Sequence, residues 1–136
     1  MKNNTYKVLL LSSKPSKIKK SIERHGDKVD TLDAKFDKVL IEKNRYDYIV
    51  SFGYRFLLDE SILESVRKTS YNLHIGYLPY NRGAYPNFWS NLENTPSGVT
   101  IHQIDKGIDT GKILFQKEIP INKKIHSFSS SYNILI

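Results

Sequence analysis

The 136-residue chain carries 21 lysines and arginines against 14 aspartates and glutamates, a net charge of +7, with 39% hydrophobic and 26% charged residues. That length supports one core, and the composition excludes a disordered chain. With no cysteine, disulfides and thiolate metal sites are excluded as well.

The start, Met1-Lys2-Asn3-Asn4-Thr5, has no secretory apolar region. No apolar run approaches the roughly 20 residues that span a bilayer. The expectation is one domain over residues 1–136, cytoplasmic and without membrane contact. Tyr6-Lys7-Val8-Leu9-Leu10-Leu11 then gives a first strand, followed by Ser12-Ser13 and a helix from Pro15 to about His25. Pro15 at the first turn and Gly26 past the end are helix punctuation.

Val29 to Leu32 reads as a short strand, and Ala34 to Lys43 as a weak helix with Phe36, Val39 and Leu40 on one face. Tyr46 to Phe52 is rich in strand formers and stops at Gly53. Leu57 to Lys68 predicts a helix, Ser70 to Leu73 a strand, and Asn87 to Leu92 a short helix after Pro86. Val99 to Ile104 and Lys112 to Pro120 alternate like strands. Tight turns at Asp105-Lys106-Gly107 and Asp109-Thr110-Gly111 would join them as an antiparallel hairpin. Strands alternating with helices predict an α/β, Rossmann-like, three-layer fold with a mostly parallel central sheet, to which this C-terminal hairpin is added. Ser127 to Ser131 looks like a helix start, and Tyr132-Asn133-Ile134-Leu135-Ile136 is expected to pack on the sheet or on a second subunit. The abrupt apolar end suggests a truncated domain.

Net positive charge favours anionic partners. Lys14, Lys17, Lys19, Lys20, Arg24 and Lys28 account for much of it near the N-terminus, around a helix whose buried stripe is Ile18 and Ile22. A solvated face explains them, and no nucleic-acid-binding signature accompanies them. A nucleic-acid partner therefore ranks last.

Chemistry concentrates between Asn72 and Gly111. Ligands of parallel sheets bind beyond the carboxyl ends of the strands, where Asn72, His74 and the Phe52-Gly53-Tyr54-Arg55 segment are expected. Asn72 and His74 share one side of a strand because strand side chains alternate. An imidazole there can move a proton or donate to an oxygen becoming negative, and the amide N–H is a second such donor. Asp109, on a glycine-flanked turn, can orient the imidazole and accept a proton from an amine. Singly, each has a structural reading too, since an Asp in Asp-Thr-Gly often stabilises its own turn.

As an ordered set the motifs are specific. Asn72, His74, Leu78-Pro79, Arg82-Gly83, Pro86, Trp89, Gly98 to His102, Asp105, Gly107 and Ile108 to Gly111 resemble the folate-dependent formyltransferases. That family includes the methionyl-tRNA, glycinamide ribonucleotide and sugar N-formyltransferases. The resemblance implies a catalytic triad of Asn72, His74 and Asp109, and transfer of a formyl group from the cofactor 10-formyltetrahydrofolate to a primary amine. It further implies that Asn72 and a protonated His74 steady the oxyanion while Asp109 holds His74. The implied pterin pocket is made by Phe52, Gly53, Tyr54, Arg55, Phe56 and Leu57 together with Ile104, Asp105, Lys106, Gly107 and Ile108. No metal is expected.

Phe52 to Arg55, Tyr80 to Trp89 and Leu92 to Pro96 look most like the sugar branch. Its acceptor is the amine of a nucleotide-linked amino-deoxysugar used in surface polysaccharide such as lipopolysaccharide O-antigen. Tyr77, Tyr80, Arg82 and Gly83 are the expected acceptor contacts. Tyr77, Tyr80, Tyr85, Phe88 and Trp89 are candidates to stack on base or sugar, while Phe88 and Trp89 read equally as a helix's core face. A homodimer is a further expectation. Two departures stand out: Ile75-Gly76 follows His74 where much of the family has Pro-Ser, and Ser12-Ser13-Lys14 replaces a glycine-rich turn. The alternatives are formylation of methionyl-tRNA or of a ribonucleotide amine, and a truncated folate-binding domain without turnover.

Overall fold

The computed structural model describes residues 4–122 and 126–136. Eleven elements follow in chain order among the described residues: β1 (Lys7–Leu11), α1 (Ser16–Glu23), β2 (Lys28–Leu32), α2 (Lys38–Asn44), β3 (Tyr48–Phe52), α3 (Glu60–Ser65), β4 (Thr69–His74), α4 (Pro86–Glu93), β5 (Gly98–Gln103), β6 (Ile113–Glu118) and α5 (Phe128–Leu135). The strands form one sheet in the order β2-β1-β3-β4-β5-β6. Pairing is parallel from β2 through β4 and antiparallel from β4 through β6, so the expected hairpin closes the sheet.

Alternation of apolar side chains splits the core between the two faces. Leu9, Leu11 and Ile49 point to one face and pack with Ile41 of α2 and Ile62 of α3. Val8, Leu10 and Val29 point to the other, where Ile18 and Ile22 of α1 partly cover them. The expected Ile18/Ile22 stripe is therefore the one that docks. Full burial of an aliphatic side chain contributes on the order of 2 kcal/mol, and Leu10, Leu11, Ile41 and Ile49 are all completely buried.

Two helices are shorter than their apolar periodicity suggests, because aspartate side chains set where they begin. Asp37 accepts from the Val39 N–H, so α2 starts at Lys38 rather than Ala34. In that phase Val39 is 57% exposed and Ile41 takes the buried position. Asp59 accepts from the Ile62 N–H and starts α3 at Glu60, which leaves Leu57 on the preceding loop, 81% exposed. Arg67 and Lys68 bend into β4 with their N–H groups donating to the Tyr46 and Asp47 carbonyls, and the strand begins at Thr69.

At the far end, Ser127 caps α5 through the Ser130 N–H. Leu135 is buried over the sheet, whereas Ile134 and Ile136 stay half-exposed, so the expected packing of this segment rests on Leu135. Among the described residues no helix is long and apolar enough to cross a membrane.

Candidate active site

The sheet reverses direction between β4 and β5, and that reversal builds the site. In the antiparallel register Asn72 stands opposite His102, and His74 opposite Thr100. These side chains share one face. Asp109 reaches the same face from the β5–β6 loop, which is held in shape by its own polar groups: Asp105 Oδ1 accepts from the Gly107 N–H at 2.9 Å and from the Thr110 hydroxyl at 2.7 Å. Asp109 itself adopts a left-handed backbone, φ 53°. Gly111 lies so close to Gln103 that any Cβ would overlap its carbonyl oxygen, so only glycine lets the loop return this tightly.

The expected triad does converge. Asn72 Nδ2 donates to Asp109 Oδ1 at 3.2 Å, and His74 Nδ1 lies 3.4 Å from Asp109 Oδ2. Asp109 Oδ2 also accepts from the Gly83 N–H at 2.7 Å. His74 Nε2 donates to the Asn81 carbonyl at 3.1 Å. A fourth group belongs to this cluster: His102 Nε2 is 3.1 Å from Asp109 Oδ1 and 3.3 Å from Asn72 Nδ2, while its Nδ1 donates to the Gln103 carbonyl at 2.7 Å.

Those partners decide where charge sits. Both Gln103 O and Asp109 Oδ1 accept only, so His102 bonds both when its two nitrogens carry protons. Burial opposes that charge, but the Asp109 hydrogen bond, the Gln103 carbonyl and the two nearby carboxylates outweigh it and raise the His102 pKa. For His74, burial is the larger effect, and it lowers the pKa against the pull of Asp109 and Asn81. Burial also works to raise Asp109, yet the bonds from His102 and Gly83 and the nearby imidazoles hold its carboxyl below the usual carboxylate range. The three directions favour an anionic Asp109 and a second proton on His102 rather than on His74. For His74 the direction runs against the protonated form that the family resemblance implies.

Gly76 gives the imidazole its room. A Cβ there would stand 2.7 Å from His74 Nε2 and 3.0 Å from Pro86 Cβ. The Ile75-Gly76 departure from Pro-Ser is therefore tied to where this ring lies.

The remaining expected site residues are spread around this centre. Phe52 is buried on the opposite face with Leu73, Ile101 and Phe115, where they line a cavity of about 540 Å³ between α1 and α5 to which His74 and Thr100 also contribute. Tyr54 packs against the core cluster and donates its hydroxyl to the Ala34 carbonyl at 2.8 Å, and Arg55 lies 3.7 Å from Asp33. Phe56 stacks edge-on against Tyr54, and Gly53 carries the left-handed turn at φ 65°. Lys106 pairs with Glu60 at 2.7 Å, tying the start of α3 to the 104–108 loop. Ile104 N–H donates to Ser70 O, and Leu57 and Ile108 are exposed apolar side chains on the two loops. Tyr80 and Arg82 are exposed and Tyr77 is half-buried. Along α4 the buried residues are Asn87 and Ser90, whereas Phe88 and Trp89 are 43% and 41% exposed, which overturns the core-face reading of those two.

His102 and Asn81 are the participants that motif reading left without a role. His102 had a signal in the alternation Thr100-Ile101-His102, which puts it on the polar face once the register with Asn72 is known. Asn81 acts through a backbone carbonyl, and side-chain type gives no sign of that.

The whole stretch from residue 6 to residue 133 matches the formyl transferase family. The chain belongs to that family. Among solved structures it is similar to the formyltransferase PseJ from Anoxybacillus kamchatkensis in complex with UDP-4,6-dideoxy-4-formamido-L-AltNAc and tetrahydrofolate, with 40% identity and a TM-score of 0.86 over 95% of this chain and 68% of that one. It is also similar to the dTDP-4-amino-4,6-dideoxyglucose formyltransferase of Mycobacterium bovis, 39% identical over 77 residues, which are 57% of this chain. The methionyl-tRNA formyltransferase of Thermodesulfovibrio yellowstonii is 42% identical over 77 residues, 56% of this chain. The matched stretch spans 32% of the mycobacterial protein and 25% of the Thermodesulfovibrio one.

Proposed function

We propose that the chain carries the formyl-transfer site of a 10-formyltetrahydrofolate-dependent N-formyltransferase, and that its acceptor is the primary amine of a nucleotide-linked amino-deoxysugar. The convergence of Asn72, His74 and Asp109 on one face beyond β4 is the observation that carries this reading. Similarity to PseJ, solved with a formamido sugar nucleotide and tetrahydrofolate, supports the sugar acceptor.

The residues suit the folate group: Leu57 and Ile108 offer exposed apolar surface on two loops that the Lys106–Glu60 pair ties together. When bound, 10-formyltetrahydrofolate supplies the formyl carbon, its nitrogen leaving with one proton as the amine gives one up. Asn72 Nδ2 would donate to the formyl oxygen as negative charge builds there, a fixed dipole in a partly buried site. His74 would contribute the second N–H from Nδ1 once that nitrogen has taken up a proton, because its Nε2–H is held by the Asn81 carbonyl. Asp109, anionic at neutral pH, accepts the proton of the attacking amine, and the His102 imidazolium keeps that carboxylate charged and aimed. Tyr77, Tyr80 and Arg82 are the acceptor contacts on the loop after His74, where exposed Arg82 suits a diphosphate. A cytoplasmic location, a homodimer and a role in surface polysaccharide synthesis belong to the same reading.

Likeness to the Thermodesulfovibrio protein makes methionyl-tRNA the second acceptor to test. One folate donor offered with UDP- and dTDP-linked 4-amino-4,6-dideoxysugars, glycinamide ribonucleotide and methionyl-tRNA separates these readings. The proposal expects a formamide on an amino sugar nucleotide. Formylation of the tRNA alone, with steep salt dependence, would replace it.

A further inference from the structure

The loop between His74 and α4 grips the site at two points that the reaction itself does not explain. Asn81 sits in the left-handed region, φ 56°, and turns its carbonyl onto His74 Nε2 at 3.1 Å. Two residues later the Gly83 N–H bonds Asp109 Oδ2 at 2.7 Å. The Asn81 side chain is anchored at both ends. The Thr95 hydroxyl donates to its Oδ1 at 2.7 Å, and its Nδ2 donates to Glu93 Oε2 at 3.3 Å. Asparagine is among the few residues that tolerate this backbone, and its amide matches one donor and one acceptor at the end of α4.

We infer that Asn81 is a positioning residue for His74: its carbonyl keeps the ring proton on Nε2, leaving Nδ1 as the nitrogen that takes up and releases a proton beside Asp109. A carbonyl can only accept, so the nitrogen facing it carries hydrogen. The other ring nitrogen then faces Asp109 Oδ2 at 3.4 Å. Gly76 completes the arrangement, because a side chain at that position would push Nε2 away from Asn81. Besides Asp109 and Asn81, His74 faces His102, with ring centroids 6.4 Å apart, and Glu93 stands behind Asn81. Through Glu93 and Thr95 the placement of α4 is coupled to the orientation of the imidazole.

The consequence for turnover rests on the proposed formyl transfer; the consequence for the ring does not. Imidazole nitrogen NMR of the full chain labelled in histidine, with the His74 signals identified by their loss in His74→Gln, reads the tautomer directly. The wild type is expected to show His74 protonated at Nε2. Asn81→Gly keeps the backbone conformation and loses both anchors, so it is expected to mix the two tautomers and lower kcat roughly tenfold or more, with KM changing much less. Asn81→Asp retains the Thr95 bond but sets a second carboxylate against Glu93, so both readouts are expected to fall between wild type and Asn81→Gly. Thr95→Val tests the same anchor if Asn81→Gly does not fold, and is expected to change both readouts in the same direction. An unchanged His74 tautomer in these variants overturns the inference, as does a mixed tautomer with normal kcat. Where the wild type transfers no formyl group to any amine, the function reading fails and the tautomer alone decides.

Discussion

Asn72 and His102 stand directly opposite each other across the antiparallel β4–β5 pair, with the amide Nδ2 3.3 Å from the imidazole Nε2. Asp109 Oδ1 lies within 3.2 Å of both, so one carboxylate oxygen serves as acceptor for two neighbours. When His102 is charged, its Nε2–H and the Asn72 amide both point to Asp109. When it is neutral, its Nε2 lone pair becomes a second acceptor for the amide. The protonation of His102 is thus coupled to which partner holds the Asn72 amide.

His102→Gln is expected to lose stability in a pH-dependent way. A histidine whose folded pKa is raised contributes stability that is complete below the unfolded value, about 6.5, and is lost as pH rises through the folded value. The gap between wild type and His102→Gln should therefore be larger near pH 5.5 than near pH 9, roughly, as judged by urea midpoints. His74 has the opposite sign, since its lowered pKa removes stability as pH falls below its unfolded value; His102 is the smallest of the causes of that lowering, so its loss narrows the gap rather than reversing it. A gap independent of pH would show that His102 carries no extra proton in the folded state.

Gly76→Ala places a methyl group 2.7 Å from His74 Nε2. The ring must move, because the other side is closed by Pro86. Overpacking of this kind costs about 1–3 kcal/mol, and a displacement on the order of 1 Å at a reacting group lowers turnover by about 100-fold. The expected signature is a kcat loss far larger than the change in melting temperature accounts for. Normal kcat in Gly76→Ala would mean that the His74 position is not critical.

The phase of α2 gives a test of the fold free of any functional assumption. Ile41→Ala should destabilise the protein by about 2–5 kcal/mol, whereas Val39→Ala should stay within about 0.5 kcal/mol. Equal effects in denaturant unfolding would contradict the assignment of Ile41 to the core.

Much of this site was legible because it depends on local spacing. Asn72 and His74 share a face through the two-residue period of a strand, and that parity needs no coordinates. Asp109 was marked by glycines, and Gly111 is one that the backbone contact with Gln103 demands. His102 was different. Its role comes from the β4–β5 register, a pairing between segments thirty residues apart that alternation alone does not set. Of the expected face Phe36, Val39 and Leu40, only Val39 fails, for a related reason: Phe36 and Leu40 pack on the core, but the Asp37 cap fixes where the helix begins and turns Ile41 rather than Val39 inward. Strand parity with Leu73 turns the Phe52 side chain to the other face, so within the implied pterin pocket only its backbone could take part.

The most direct test of the account is transfer of an isotopically labelled formyl group to an amino sugar nucleotide, followed in wild type and in Asn72→Ala. The account predicts label on the sugar nitrogen with wild type, and a rate lower by about 100- to 1,000-fold in Asn72→Ala at an unchanged melting temperature. Equal rates in the two proteins would contradict it.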